Sequence, residues 1–130
     1  MKNIAIIFAA LAVLGGCQKE EKTTYTINVN TGYQQAAQTQ GVSYEADVMI
    51  NEYGDGKKLT TQYLDNINEE VDYVIVPNSK TEYITVKYSV TVDGESASFW
   101  IGKIFDIVKG DNIDVDIVYT TIAVQNEPKK

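Results

Sequence analysis

Tyr83-Ile84-Thr85-Val86-Lys87-Tyr88-Ser89-Val90-Thr91-Val92-Asp93-Gly94 is the stretch that decides how this chain folds. Ile84, Val86, Tyr88, Val90 and Val92 alternate with Tyr83, Thr85, Lys87, Ser89 and Thr91. Successive side chains of a β-strand point to opposite faces, so a period of two gives one apolar face and one polar face. Asp93-Gly94 closes the run with two residues that accept positive φ, as a two-residue hairpin turn requires.

The same alternation recurs on both sides. Tyr25, Ile27 and Val29 alternate with Thr24, Thr26, Asn28 and Asn30. Val42, Tyr44, Ala46, Val48 and Ile50 are opposed by Ser43, Glu45, Asp47 and Asn51. Leu59, Thr61 and Tyr63 form a weaker third set, and residues 71–76 a fourth that Pro77-Asn78-Ser79 stops. Residues 99–108 and 113–124 supply a sixth and a seventh strand. Gly54-Asp55-Gly56 and Lys109-Gly110-Asp111-Asn112 are the matching turn signals. Residues 33–41 break the pattern and read as a polar loop with no more than one helical turn.

Each strand offers one apolar face, and stacking two sheets about 10 Å apart covers both sets at once. The expected fold is all-β, an antiparallel β-sandwich of about seven strands over residues 24–124. An immunoglobulin-like strand order is preferred, with a transthyretin-like order as its rival. The resemblance to immunoglobulin domains is one of broad architecture, because the cysteine pair of antibody domains is absent. The tail, residues 125–130, is expected to fray, since Pro128 and two terminal lysines offer little to pack.

The N-terminus has a different character. Lys2 precedes an eleven-residue apolar run, Ile4 to Leu14, and Gly15-Gly16 lead into Cys17, the only cysteine. A membrane-spanning helix needs about 20 apolar residues, so this run reads as the hydrophobic part of a signal peptide, residues 1–16. Leu14-Gly15-Gly16-Cys17 resembles the lipobox of bacterial lipoproteins, in which the cysteine is acylated and begins the mature chain. Gln18-Lys19-Glu20-Glu21 resembles the surface-export signal of Bacteroidota lipoproteins. Together these resemblances imply a chain lipidated at Cys17, a flexible tether over residues 17–23, and display on the exterior of the outer membrane. The inward, periplasmic face is the alternative location. Several acyl chains, at about 0.8 kcal/mol per buried CH₂, anchor stably without any spanning segment.

Removing residues 1–16 from the 130-residue chain leaves 114, enough for one domain with its own core. The net charge is −7, and all eleven basic residues are lysines. A chain this acidic and without arginine lacks the means to bind nucleic acid. There is no histidine, which removes Ser-His-Asp catalysis, histidine-ligated zinc and a histidine switch. With the one thiol assigned to acylation, no cysteine nucleophile is left, and no phosphate-binding glycine loop is present. No cofactor is implied, and the expectation is a protein that is not an enzyme. A two-carboxylate glycosidase is the residual catalytic reading, although no spacing among the 18 acids selects a pair.

Two sets of side chains are candidates for binding. Asp111, Asp114 and Asp116 form the densest acidic cluster. Calcium would relieve their repulsion, but their spacing does not match a calcium loop, and a solvated sheet edge that resists aggregation explains them better. The aromatics are the stronger set: Tyr53 beside a glycine turn, Tyr83 opposite the apolar face of its strand, and Trp100 in a strand apolar on both faces. These three are the expected ligand contacts. The sequence thus points to a surface lipoprotein whose sandwich binds a glycan or a protein. The rival is an assembly subunit of the cell envelope that pairs through an exposed strand edge.

Overall fold

The computed structural model describes residues 22–120, 122–124 and 126–129. The signal segment, Cys17 and the export-like run at 18–21 lie outside these residues. Among the described residues, no helix is long and apolar enough to cross a membrane.

The chain forms an all-β sandwich of two sheets with one short helix. Its elements in order are β1 (Thr24–Asn30), α1 (Tyr33–Gln40), β2 (Tyr44–Gly54), β3 (Lys57–Leu64), β4 (Asp72–Ile75), β5 (Tyr83–Val92), β6 (Glu95–Ile101), β7 (Phe105–Asp106), β8 (Asn112–Val118) and β9 (Ile122–Val124). The smaller sheet runs β4-β1-β8 and the larger β3-β2-β5-β6-β9, with β7 paired to β5. An immunoglobulin order sets the first two strands side by side, whereas here β1 and β2 lie in different sheets. All pairings are antiparallel except β1 with β8, which run parallel from Thr24↔Asn112 to Asn30↔Val118.

The alternation read from the sequence places the core. Tyr25, Ile27 and Val29 from β1 and Val115 and Ile117 from β8 face Ala46, Val48 and Ile50 from β2 and Ile84, Val86, Tyr88 and Val90 from β5. Asp93 and Gly94 both take positive φ, 53° and 83°, and turn β5 into β6. Two long runs are divided. The chain bends at residues 102–104, separating β6 from β7, and turns again at Tyr119-Thr120, so β8 and β9 join different sheets.

Residues 33–41, expected to be a loop, contain the eight-residue α1. Only Ala37 is buried there, too little for an apolar stripe to mark the helix. Its ends are set by Gly32 and Gly41, both left-handed, and the Gly41 N–H bonds back to the helix carbonyls. The Glu69 carboxylate holds the entry to the helix. It accepts the Thr31 and Gly32 N–H groups at 3.0 and 3.1 Å, the Thr31 hydroxyl at 2.7 Å and the Tyr44 hydroxyl at 3.1 Å. Burial, then the neighbouring Tyr88 and Glu69, push the Tyr44 phenol well above its ordinary range.

A second carboxylate lies between the sheets. Glu52 follows Ala46, Val48 and Ile50 on the inward face of β2 and is fully buried. It accepts the Tyr25 hydroxyl at 2.6 Å, the Gln62 amide at 2.6 Å, the Asn78 N–H at 2.9 Å and the Thr81 hydroxyl at 3.0 Å. Four donors make a buried carboxylate tolerable where none would leave it several kcal/mol too costly. Burial, then Glu52, raise the Tyr25 phenol far above its ordinary value. This bond ties the start of β1 to the end of β2 and fixes which loops share one end of the sandwich.

Candidate functional site

The outward face of the larger sheet carries Tyr53, Tyr63, Tyr83 and Trp100. Register puts Lys58, Tyr53, Tyr83 and Asp106 in one cross-strand row, and Thr61, Asn51 and Thr85 in the next. Tyr63, Met49, Lys87 and Trp100 form a third. Cross-strand neighbours stand about 5 Å apart, close enough for ring contact. The Tyr53 and Tyr83 rings stack with centroids 4.9 Å apart and planes 2° from parallel. Both side chains are half-buried, and both line an open depression of about 280 Å³ with Thr85, Glu127, Pro128 and Lys129.

Glu127 is the unexpected member of this group. The sequence offers the tail little to pack, yet its carboxylate accepts the Tyr53 hydroxyl in a short bond, the Thr85 hydroxyl at 2.9 Å and the Asn51 amide at 3.4 Å. The Thr61 hydroxyl bonds to Asn51 at 2.8 Å and extends the network to β3. Partial burial pushes the Glu127 carboxyl up, but the bonds from Tyr53, Thr85 and Asn51 and the Lys58 charge outweigh it and hold it below its ordinary 4.5. Burial, then the Glu127 bond and charge, push the Tyr53 phenol up to about 12. At neutral pH the site therefore presents a carboxylate fixed by neutral donors beside a stacked aromatic pair.

The three aromatics singled out from sequence do not all meet. Tyr53 and Tyr83 stack, whereas Trp100 stands two rows away and is only 9% exposed, with the Lys87 ammonium 5.5 Å from its ring centroid. Only the last part of β6 is covered: Glu95 to Ser98 are exposed, whereas Phe99 and Ile101 pack on the core and Trp100 is buried on the opposite face. Tyr63, 64% exposed, is the aromatic of this face that sequence reasoning passed over, since it sits in the weakest alternating set. Asp114 and Asp116 project from the outward face of β8, and Asn112 joins them by donating to Asp114 at 3.1 Å. Among the described residues, no three His, Cys, Asp or Glu side chains are grouped as a metal ion requires.

Chemically, the depression offers an aromatic surface, one charged acceptor, hydroxyl groups and a lysine. Few fixed polar groups around an apolar floor is the usual make-up of a small-ligand site. Comparison of the chain with models of known protein families, with curated proteins and with solved structures gives no significant match.

Proposed function

We propose that this chain is a non-catalytic lipoprotein, anchored through Cys17 to the outer membrane and facing the cell exterior, whose sandwich binds a glycan at the Tyr53–Tyr83 depression. The observation that carries the reading is the parallel stacking of two tyrosines from different strands beside the Glu127 carboxylate. Aromatic faces pack against the apolar C–H faces of sugar rings, and a fixed carboxylate with neighbouring hydroxyls can order the ring hydroxyls. The lining holds one carboxylate, Glu127, where glycoside hydrolysis ordinarily uses two. The lipobox-like and export-like runs support the anchor and its outward display.

Glycan-array binding by the full chain tests the site. Tyr53→Ala and Tyr83→Ala should each weaken binding about tenfold, the weight of one lost aromatic contact. An array without any bound glycan, or two variants that bind as the parent does, overturns the glycan reading. Protease treatment of intact cells tests display, and a chain left uncut argues for the periplasmic face.

One observation favours the assembly reading. β4 is an edge strand of the smaller sheet, and Val74 and Val76 at that edge are 60% and 66% exposed. An added strand from an envelope protein would cover both.

A further inference from the structure

The lysines are not spread evenly over the sandwich. Register and the Tyr25–Glu52 bond bring four segments to one end: the start of β1, the Gly54–Gly56 turn, residues 77–82 and residues 107–111. The chain enters at this end, where the Thr24 N–H bonds to the Asp111 carbonyl at 3.2 Å and the Gly110 N–H to the Thr23 hydroxyl at 2.8 Å. Lys57, Lys80 and Lys109 line a cavity of about 550 Å³ there, with Asp55 and Glu82 as the acids among its lining residues. Lys22 and Lys58 belong to the same end, as do Asp106 and Asp111. The opposite end, formed by the loops around α1, residues 65–71 and the Asp93-Gly94 turn, carries Asp65, Glu69, Glu70, Asp93 and Glu95 and has no lysine.

We infer that the lysine end docks against anionic lipid headgroups, so that the sandwich stands upright on the membrane with its acidic end outward. This rests on the anchor at Cys17. From Cys17 to Thr23 is six residue steps, which even fully extended reach about 20 Å. The end that carries Lys57, Lys80 and Lys109 is thereby held close to the bilayer surface, within about two Debye lengths. Where the tether lets this end come within one Debye length, a single lysine favours association with anionic lipid about fivefold. Its five lysines outnumber Asp55, Glu82, Asp106 and Asp111 by one, whereas the far end is purely acidic. Lys57, Lys80 and Lys109 supply the cationic donors for headgroup phosphates at this cavity, Lys109 Nζ also donating to the Ser79 carbonyl at 3.3 Å. The Tyr53–Tyr83 row lies beside this end and stays open on the side of the sandwich.

The test uses the full mature chain reconstituted in vesicles of phosphatidylcholine alone or with phosphatidylglycerol, with amine acetylation followed residue by residue by mass spectrometry. Docking slows labelling of Lys57, Lys80 and Lys109 at least about fivefold on the anionic vesicles only. Lys87 and Lys103, away from that end, label alike on both and serve as internal references. Equal labelling of the three lysines on both vesicles overturns the proposal. So does equal protection by inorganic phosphate with neutral vesicles, which assigns the cavity to a free anion. The mass at Cys17 is read in the same digest. An unmodified thiol removes the anchor and the docking together, whereas acylated Cys17 with unprotected lysines removes the docking alone.

Discussion

The Tyr25 hydroxyl reaches from the smaller sheet to the Glu52 carboxylate of the larger one at 2.6 Å, with both side chains fully buried. The sheets are therefore joined by a buried hydrogen bond as well as by apolar packing, and the bond forms only in the observed alignment of one sheet over the other.

Tyr25→Phe removes one of the four donors to a fully buried carboxyl group, at a cost of about 1–2 kcal/mol. Glu52→Leu strands the Tyr25 and Thr81 hydroxyls, the Gln62 amide and the Asn78 N–H together, at a cost of about 3 kcal/mol or more. Urea unfolding of both single variants and the double variant should give a coupling of about 1 kcal/mol between the two positions. Strict additivity would mean that the bond contributes nothing.

The tail is held by a titratable contact. Glu127 has a folded pKa below its ordinary 4.5, so its contribution is complete above that value and is lost as pH falls through the depressed one. Tyr53 has a folded pKa raised from 10.0 to about 12, so its contribution is complete below 10.0 and lost as pH rises through about 12. Glu127→Gln should flatten the acid limb of the stability profile. Tyr53→Phe should remove one late step from the phenolate absorbance titration.

Gly54 is fixed by close approach. A Cβ there would stand 2.3 Å from the Lys80 carbonyl oxygen and 3.0 Å from Leu59 Cδ1. The first contact is backbone and cannot swing aside, so Gly54→Ala should cost about 2 kcal/mol in thermal unfolding. Gly56→Ala, in open space but at φ 74°, should cost about 1 kcal/mol from backbone strain alone.

Glu69→Ala should loosen the helix without disturbing the core. The Thr31 and Gly32 N–H groups lose their acceptor, as at a helix stripped of its cap, for about 1–2 kcal/mol. Hydrogen exchange should quicken at Thr31, Gly32 and the first turn of α1, while Val48 and Val86 keep their protection.

The strands were legible because burial on one face imposes a period of two, and that signal is local. β5 reads without ambiguity, and so does its turn at Asp93-Gly94. Glu52 was legible in principle, since it continues the inward set of Ala46, Val48 and Ile50, but its four donors lie 10 to 29 residues away. The parallel union of β1 with β8 joins residues 88 apart, and no local pattern encodes it. The stacked pair was half legible. Tyr53 and Tyr83 stand out singly, but their meeting depends on the register of β2 with β5, and the Glu127 that fastens Tyr53 comes from a tail with no pattern at all.

The position of β1 in its sheet has a mechanical consequence. It is the middle strand, laddered to β4 on one side and to β8 on the other, and it is the first strand among the described residues. A tug at the amino terminus pulls β1 along its own length, across ladders lying at right angles to the pull. All those bonds resist together and must shear as a group, whereas an edge strand drawn sideways would unzip rung by rung. Force applied at the amino terminus therefore meets two ladders in shear at once.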